Sequence, residues 1–553
     1  MAITVLRTRE TTEPAVGSHR RRWVWPAAFA AAGLVLLAGY LRQARMVPVM
    51  SDGASNALQA WDMLHGNLLL HGWTLTDLSF YTIDLPEYMV LERLHGLNPG
   101  TAHVAAALTY TLMVIGAAAL AKGRARGREG VVRALIAAGI MLAPALGPTT
   151  ATLISDPDHT ATQVPLLIIW MILDRARPRW WVPAAVTVVL AWAQVADPLV
   201  AYEGVLPLLV VCAIHLYRRR DLLSARPDQL PVRLAEYLRM FWYPLSLAVG
   251  AAFSAGAAAL ALRLIRQVGG FALTPPDTTF APVAQLYHHV WVTAESVLVV
   301  FGADFSGKQL NVHVAVALVH LAGVTLAGWA TVRGLRRFAD ADLVVRILAV
   351  TMLVLLAAYT ISGDPNAAGG PHEIVGVLPV GAALAGRLLA GQFVRDRHLA
   401  LLAVGLACYA AIFAHNVVQQ PAQNANSELA AWLRAHDLSY GLATYWNASS
   451  VTVDTGGGVE VRPVNRNARG QVAAVKRDSV PSWYDPRRHD ARFLVMPGTH
   501  LGCSNGTRYQ WLSSVNAGFG PPAASYRDAG FLVLVWSGNL LEHVAKPIMA
   551  GAC

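Results

Sequence analysis

The chain has 553 residues, of which 55% are hydrophobic and 14% charged, a balance too apolar for an ordinary soluble multidomain protein. Its net charge of +10 does not point to nucleic acid, because the basic residues fall in short clusters between apolar runs and not on one contiguous patch. The composition reads as an integral membrane protein whose bases follow topology.

Residues 1–22 read as a cytoplasmic tail ending in His19, Arg20, Arg21 and Arg22. The apolar run 23–41 that follows has no small-residue cleavage site before 41–45 and reads as a retained helix. Runs long enough, or nearly so, to cross the hydrocarbon core recur about eleven times. They fall near 23–41, 101–121, 132–150, 161–174, 180–196, 199–217, 241–263, 312–332, 343–361, 373–390 and 399–416. Bases collect between alternate pairs: Lys122 to Arg133, Arg175 to Arg179, Arg218 to Arg239, Arg333 to Arg337 and Arg387 to Arg397. Basic loops stay inside, so these clusters set a cytoplasmic face, and an odd span count puts the C-terminal tail outside.

The opposite loops are rich in acids, histidines and glycines, most notably 42–100 and 264–311. In the first of them Asp52 precedes Ala54, Ala57, Leu58, Trp61, Leu64 and Leu68, the spacing of one helical face, with Gln59, Asp62 and His65 opposite. That pattern predicts a helix lying in the membrane interface, with Asp52 either capping it or held at the membrane surface for chemistry. A second acidic group, Asp156, Asp158 and His159 in "SDPDHT", offers oxygen and nitrogen donors for a divalent cation, Mg2+ or Mn2+. Asp156 with Pro157 also reads as an ordinary helix start, which leaves Asp158 and His159 unexplained. Further groups on this face are Asp77, Asp84, Glu87, Asp197, Glu203, His288, His289, Lys308, Asp364, His372 and Glu373.

Residues 417–553 are too polar to span. "SELAAWLRAHDL" has helical spacing, and "YGLATYW", "VEVRPV", "ARFLVMP" and "GFLVLVW" read as strands, which predicts a small α/β domain. An oxidising compartment would permit a Cys503–Cys553 disulfide there, whereas Cys212 and Cys408 lie in apolar runs.

An acid just outside the first helix in "SDGASNALQAWDMLHGN", an acidic pair in "SDPDHT" and an outer soluble domain together resemble the GT-C glycosyltransferases. The resemblance covers the whole chain. It implies a mainly α fold: a polytopic helix bundle at 23–416, with a first outer loop 42–100 and a lid-like loop 264–311, and an extracytoplasmic α/β domain at 417–553. It further implies a multi-pass cell-membrane enzyme that transfers a sugar from a polyprenyl-phosphate donor, with inversion, to a hydroxyl on a glycan, lipid or protein acceptor. Asp52 would be the general base, and Asp156 and Asp158 would match the acids of the second loop, joined here by His159. His372, Glu373, Lys308 and His288 are the candidate substrate-binding groups. The adjacent acid pair of the mannosyltransferases is absent, because Gly53 follows Asp52. The rival reading is a transporter or flippase of lipid-linked sugars, which would place its ionisable residues at mid-membrane.

Overall fold

The computed structural model describes residues 17–155, 158–218, 230–275, 279–363, 365, 370–394, 396–421, 424–497 and 508–549. Every apolar run folds as helix, since peptide groups in hydrocarbon have no water to bond and must be satisfied within the segment. The first half contains α1 (Gly17–Ala44), α2 (Ser51–Leu64), α3 (Asp84–His95), α4 (Gly100–Lys122), α5 (Gly127–Met141), α6 (Pro148–Thr150), α7 (Gln163–Arg175), α8 (Trp181–Ala196) and α9 (Leu206–Tyr217). After it come α10 (Leu230–Gln267), α11 (Leu286–Phe301), α12 (Val312–Arg336), α13 (Leu343–Ile361), α14 (Val377–Phe393) and α15 (Asp396–Val418).

Among the described residues, seven helices are long and apolar enough to cross a membrane, those containing 27–44, 100–122, 236–267, 312–336, 343–361, 372–393 and 398–418. The count of about eleven is therefore approximate: α5 and α7 have 15 and 13 residues, short of the ~20 a full crossing takes. The run at 132–150 breaks after α5, where Gly147 takes a φ of +98° that a side chain would resist and Pro148 starts α6. A π-helical stretch, Ala151–Ser155, continues toward Asp158, and a second one, Ala201–Val205, contains Glu203. Such widened turns recur at functional sites.

α14 is the axis of the bundle, buried from Val377 through Gly386 and packed on α4, α5 and α12. Small residues make this possible by letting backbones approach: a Cβ on Gly386 would sit 2.4 Å from the carbonyl oxygen of Arg133 on α5. At one end of the bundle Arg387 bonds Asp174 at 2.6 Å, both side chains being buried. α10 carries Pro244 and leaves helical geometry at Phe241, a kink with an ordinary cause.

The segment 264–311 is more structured than a free loop. β2 (Ala272–Leu273) pairs in parallel with β1 (Thr74–Leu75), Phe280 bridges to Ser362, and α11 packs against α13 and α12.

The C-terminal region places α16 (Ala425–Ala435), α17 (Tyr445–Asp454) and α18 (Arg508–Phe519) around a seven-stranded mixed sheet of order β7-β8-β6-β3-β4-β5-β9. The strands are β3 (Tyr440–Thr444), β4 (Glu460–Arg466), β5 (Val472–Val475), β6 (Phe493–Pro497), β7 (Ala524–Asp528), β8 (Phe531–Val535) and β9 (Ala545–Ile548). Alternate residues serve opposite cores: Leu442, Leu494 and Leu532 pack with Trp511, whereas Ala443, Val495 and Val533 pack with Leu429 and Val451. The expected cysteine pair, Cys503 and Cys553, lies outside the described residues.

This domain docks on segment 42–100. The Ser55 and Ser449 hydroxyls are 3.0 Å apart, Ser450 donates to the Val49 carbonyl at 3.0 Å, and Trp73 meets Trp483 edge-on at 5.1 Å. In consequence α2 is buried on most of its surface, Ser51 and Gly53 through Ala60 included. The amphipathic pattern anticipates a helix on a lipid interface; the helix instead lies between the bundle and the C-terminal domain, because α17 covers the face that water would otherwise wet.

Candidate active site

Asp52 stands in the first turn of α2, where the partial positive charge of the helix end favours a carboxylate. It is not the cap: that position is Met50, and the half-buried Asp52 carboxylate turns to the C-terminal domain. The strand-to-helix corner between β3 and α17 projects Tyr445, whose hydroxyl lies 2.6 Å from Asp52 Oδ1 and 2.8 Å from Asp478 Oδ2. Asp478 follows β5 with a φ of +50°, a left-handed conformation that Asp tolerates better than most residues. Its other oxygen accepts from Gln59 Nε2 and from the backbone N–H of Thr76, each at 3.2 Å. Arg477 brings its Nε within 3.7 Å of Asp478 Oδ2 and its guanidinium to 5.8 Å from the Tyr445 ring centre.

The second group faces the first from the bundle. Asp158 lies 3.6 Å from His159 Nε2 and 3.7 Å from His372 Nδ1, and His159 Nδ1 is 2.8 Å from Asp197 Oδ2. Asp197 also accepts from the Leu199 backbone at 2.8 Å. Burial would lower the His159 pKa, but Asp197 and Asp158 outweigh it and hold the imidazolium well above its ordinary range. Burial acts against the Asp158 carboxylate too, yet His159, His372 and Arg477 bring its pKa below the usual value. Asp52 goes the other way. Burial raises it past the opposing pull of Arg477 and the Tyr445 hydrogen bond, and Asp158 adds to the rise while His372 opposes it.

Of the residues singled out in the sequence, Asp52, Asp158, His159 and His372 gather within electrostatic reach of one another, and Glu373 adjoins them. Asp156 lies outside the described residues. His288 is exposed on α11, with its ring near that of His289, and Lys308 pairs with Asp304. Tyr445, Arg477 and Asp478 are the residues that sequence reasoning missed. "KRDS", a basic–acidic step after a strand, was their only local signal, and nothing in it names a partner some 400 residues upstream.

Among the described residues no group of three His, Cys, Asp or Glu side chains is placed to hold a metal ion, and Asp156, one of the three donors expected for Mg2+ or Mn2+, lies outside them. His159 Nδ1 is held by Asp197 Oδ2 at 2.8 Å, which leaves Nε2 as its outward ring nitrogen, 3.6 Å from Asp158.

No family model matches the sequence, and no curated protein matches it. Solved structures do. ArnT from Cupriavidus metallidurans in the apo state aligns at a TM-score of 0.54 with 13% identity, covering 95% of this chain and 99% of that one. ArnT from the same organism bound to undecaprenyl phosphate aligns at 0.52, again with 13% identity, covering 94% and 99%. The Archaeoglobus fulgidus oligosaccharyltransferase tethered with an acceptor peptide aligns at 0.46 with 10% identity, over 86% of this chain and 70% of that one. The fold of this membrane protein is that of the ArnT structures, which it matches over nearly the whole of both chains.

Proposed function

We propose that the protein is a multi-pass cell-membrane glycosyltransferase that moves a sugar from a polyprenyl-phosphate donor to an acceptor hydroxyl on the extracytoplasmic face. In this reading the N-terminus is cytoplasmic, the C-terminal domain is outside, and the acceptor is a glycan, lipid or protein. The observation that carries it is the meeting of Asp52 with the Asp158, His159 and His372 group beneath Arg477. One carboxylate made more basic by burial stands within electrostatic reach of His372 and Asp158 from the bundle and of Arg477 from the C-terminal domain.

Asp52 takes the proton of the acceptor hydroxyl as its oxygen attacks the anomeric carbon. The sugar–phosphate C–O bond breaks with its electron pair going to the lipid phosphate, and single displacement inverts the centre. Negative charge growing on that phosphate is met by Arg477 and His372. Asp158 and Asp197 keep His159 charged and fixed.

The test is to incubate purified protein with candidate polyprenyl-phosphate sugars and acceptor, with and without chelator, and to follow lipid-phosphate release. Transfer should fall by about 100-fold or more in Asp52→Asn, the usual weight of a general base. Full turnover in that variant would remove the reading.

A further inference from the structure

A hydroxyl carries one hydrogen, so Tyr445 can donate to Asp52 or to Asp478 but not to both. Yet both carboxylate oxygens lie at hydrogen-bond distance from it, 2.6 and 2.8 Å. With both acids ionised, one of these contacts sets lone pair against lone pair in a desolvated place, at a cost that one added proton removes. The position of that proton is constrained as well. Asp478 Oδ1 already accepts two N–H donors, leaving Oδ2, the atom facing Tyr445, as the one free to be protonated.

We propose that Asp52, Tyr445 and Asp478 form a proton sink, in which the C-terminal domain receives through Tyr445 the proton that Asp52 takes from the acceptor. This rests on the glycosyl-transfer reading and deepens it. The acceptor O–H bond breaks, its electron pair enters the new glycosidic bond, and the proton lands on Asp52. Turned toward Tyr445, the Asp52 proton transfers to the Tyr445 oxygen as the Tyr445 hydrogen transfers to Asp478 Oδ2, which leaves Asp52 ionised, Tyr445 neutral and Asp478 protonated. Both contacts are then true hydrogen bonds. The proton leaves to water between turnovers.

The environment agrees. The charged groups around the three are Arg477 beside all of them, Asp158 and His372 on the Asp52 side, and Asp77 near Arg477. Burial pushes Asp478 up to about 6, against Arg477, which makes it a better home for a proton than an ordinary carboxylate. The left-handed backbone at Asp478 is a strained conformation of the kind retained where side-chain placement matters. Asp478 and Tyr445 are thus positioning residues, acting through Asp52.

The pH dependence of kcat separates this from a structural role. Tyr445→Phe removes the donor that favours ionised Asp52, so the acid limb should move to higher pH. Asp478→Asn removes a neighbouring negative charge and keeps the hydrogen-bonding shape, so the limb should move to lower pH. In both, the plateau kcat should drop on the order of 10-fold, with the donor KM held within about 3-fold, since neither residue touches the donor in this reading. Opposite limb shifts in two variants whose melting temperatures match that of the unaltered protein are the expected result. Limbs and plateaus unchanged in both variants, with Asp52→Asn inactive, would overturn the sink and leave the base standing. An active Asp52→Asn variant would instead overturn the transfer reading, and the sink with it.

Discussion

Arg477 is the cation whose place was least legible, and removing it tests the site directly. A guanidinium bound to phosphate is worth about 1.5–3 kcal/mol as a charge-assisted hydrogen bond, so Arg477→Gln should weaken binding of a polyprenyl phosphate about 10- to 100-fold by calorimetry. Unchanged binding would show that the phosphate sits elsewhere. Glu92 poses the opposite question, a carboxyl buried with no hydrogen-bond partner for either oxygen among the described residues. Burial raises its pKa to about 9 from an unfolded value near 4.5. The unfolded chain ionises first, so stability present below pH 4.5 drains away as pH rises toward 9, at up to about 1.4 kcal/mol per unit. Melting temperature should therefore fall between pH 5 and pH 8, and the profile of Glu92→Gln should be flatter. Identical slopes would mean that Glu92 has found a partner.

Helices were the legible part of this fold, because a segment that must satisfy its own peptide groups in lipid leaves a long apolar run in the sequence. α11 escaped notice for a physical reason: "LYHHVWVTAESVLVVF" opens with two histidines and carries Glu295, so its polar start reads as loop, although its last turns, Val299 through Phe301, are buried. α2 was legible as a helix and misread in its surroundings, since hydrophobic spacing records that a face is covered and not by what. Close approach of α14 and α5 is invisible to hydropathy altogether. Gly386→Ala adds one methyl group 2.4 Å from a backbone oxygen, where no side chain can yield. Helix displacement of this kind costs about 1–3 kcal/mol, so the variant should melt several degrees lower in detergent, whereas Gly391→Ala, with open space around it, should not.

The acids of the site sit in short motifs, at 51–67 and 155–160, and chemistry-bearing residues packed into a few positions can be read locally. Tyr445, Arg477 and Asp478 reach Asp52 only because a domain more than 390 residues later in the chain folds back on α2, a long-range contact that no window of sequence contains. In the proposed reading the C-terminal domain completes the site as well as covering it. If the arrangement holds throughout turnover, the domain has no need to lift off α2. Ser55 Oγ and Ser449 Oγ, 3.0 Å apart across that interface, allow a direct check. In a double variant with Ser55→Cys and Ser449→Cys, oxidation should join α2 to α17 with little rearrangement. Transfer should continue at a rate within about 3-fold of the reduced form, because a cross-link that freezes a motion affects kcat only where that motion limits it. Loss of transfer on oxidation, restored by a reductant, would mean that the domain must swing away to admit donor or acceptor, and that the docked geometry is one stage of a cycle.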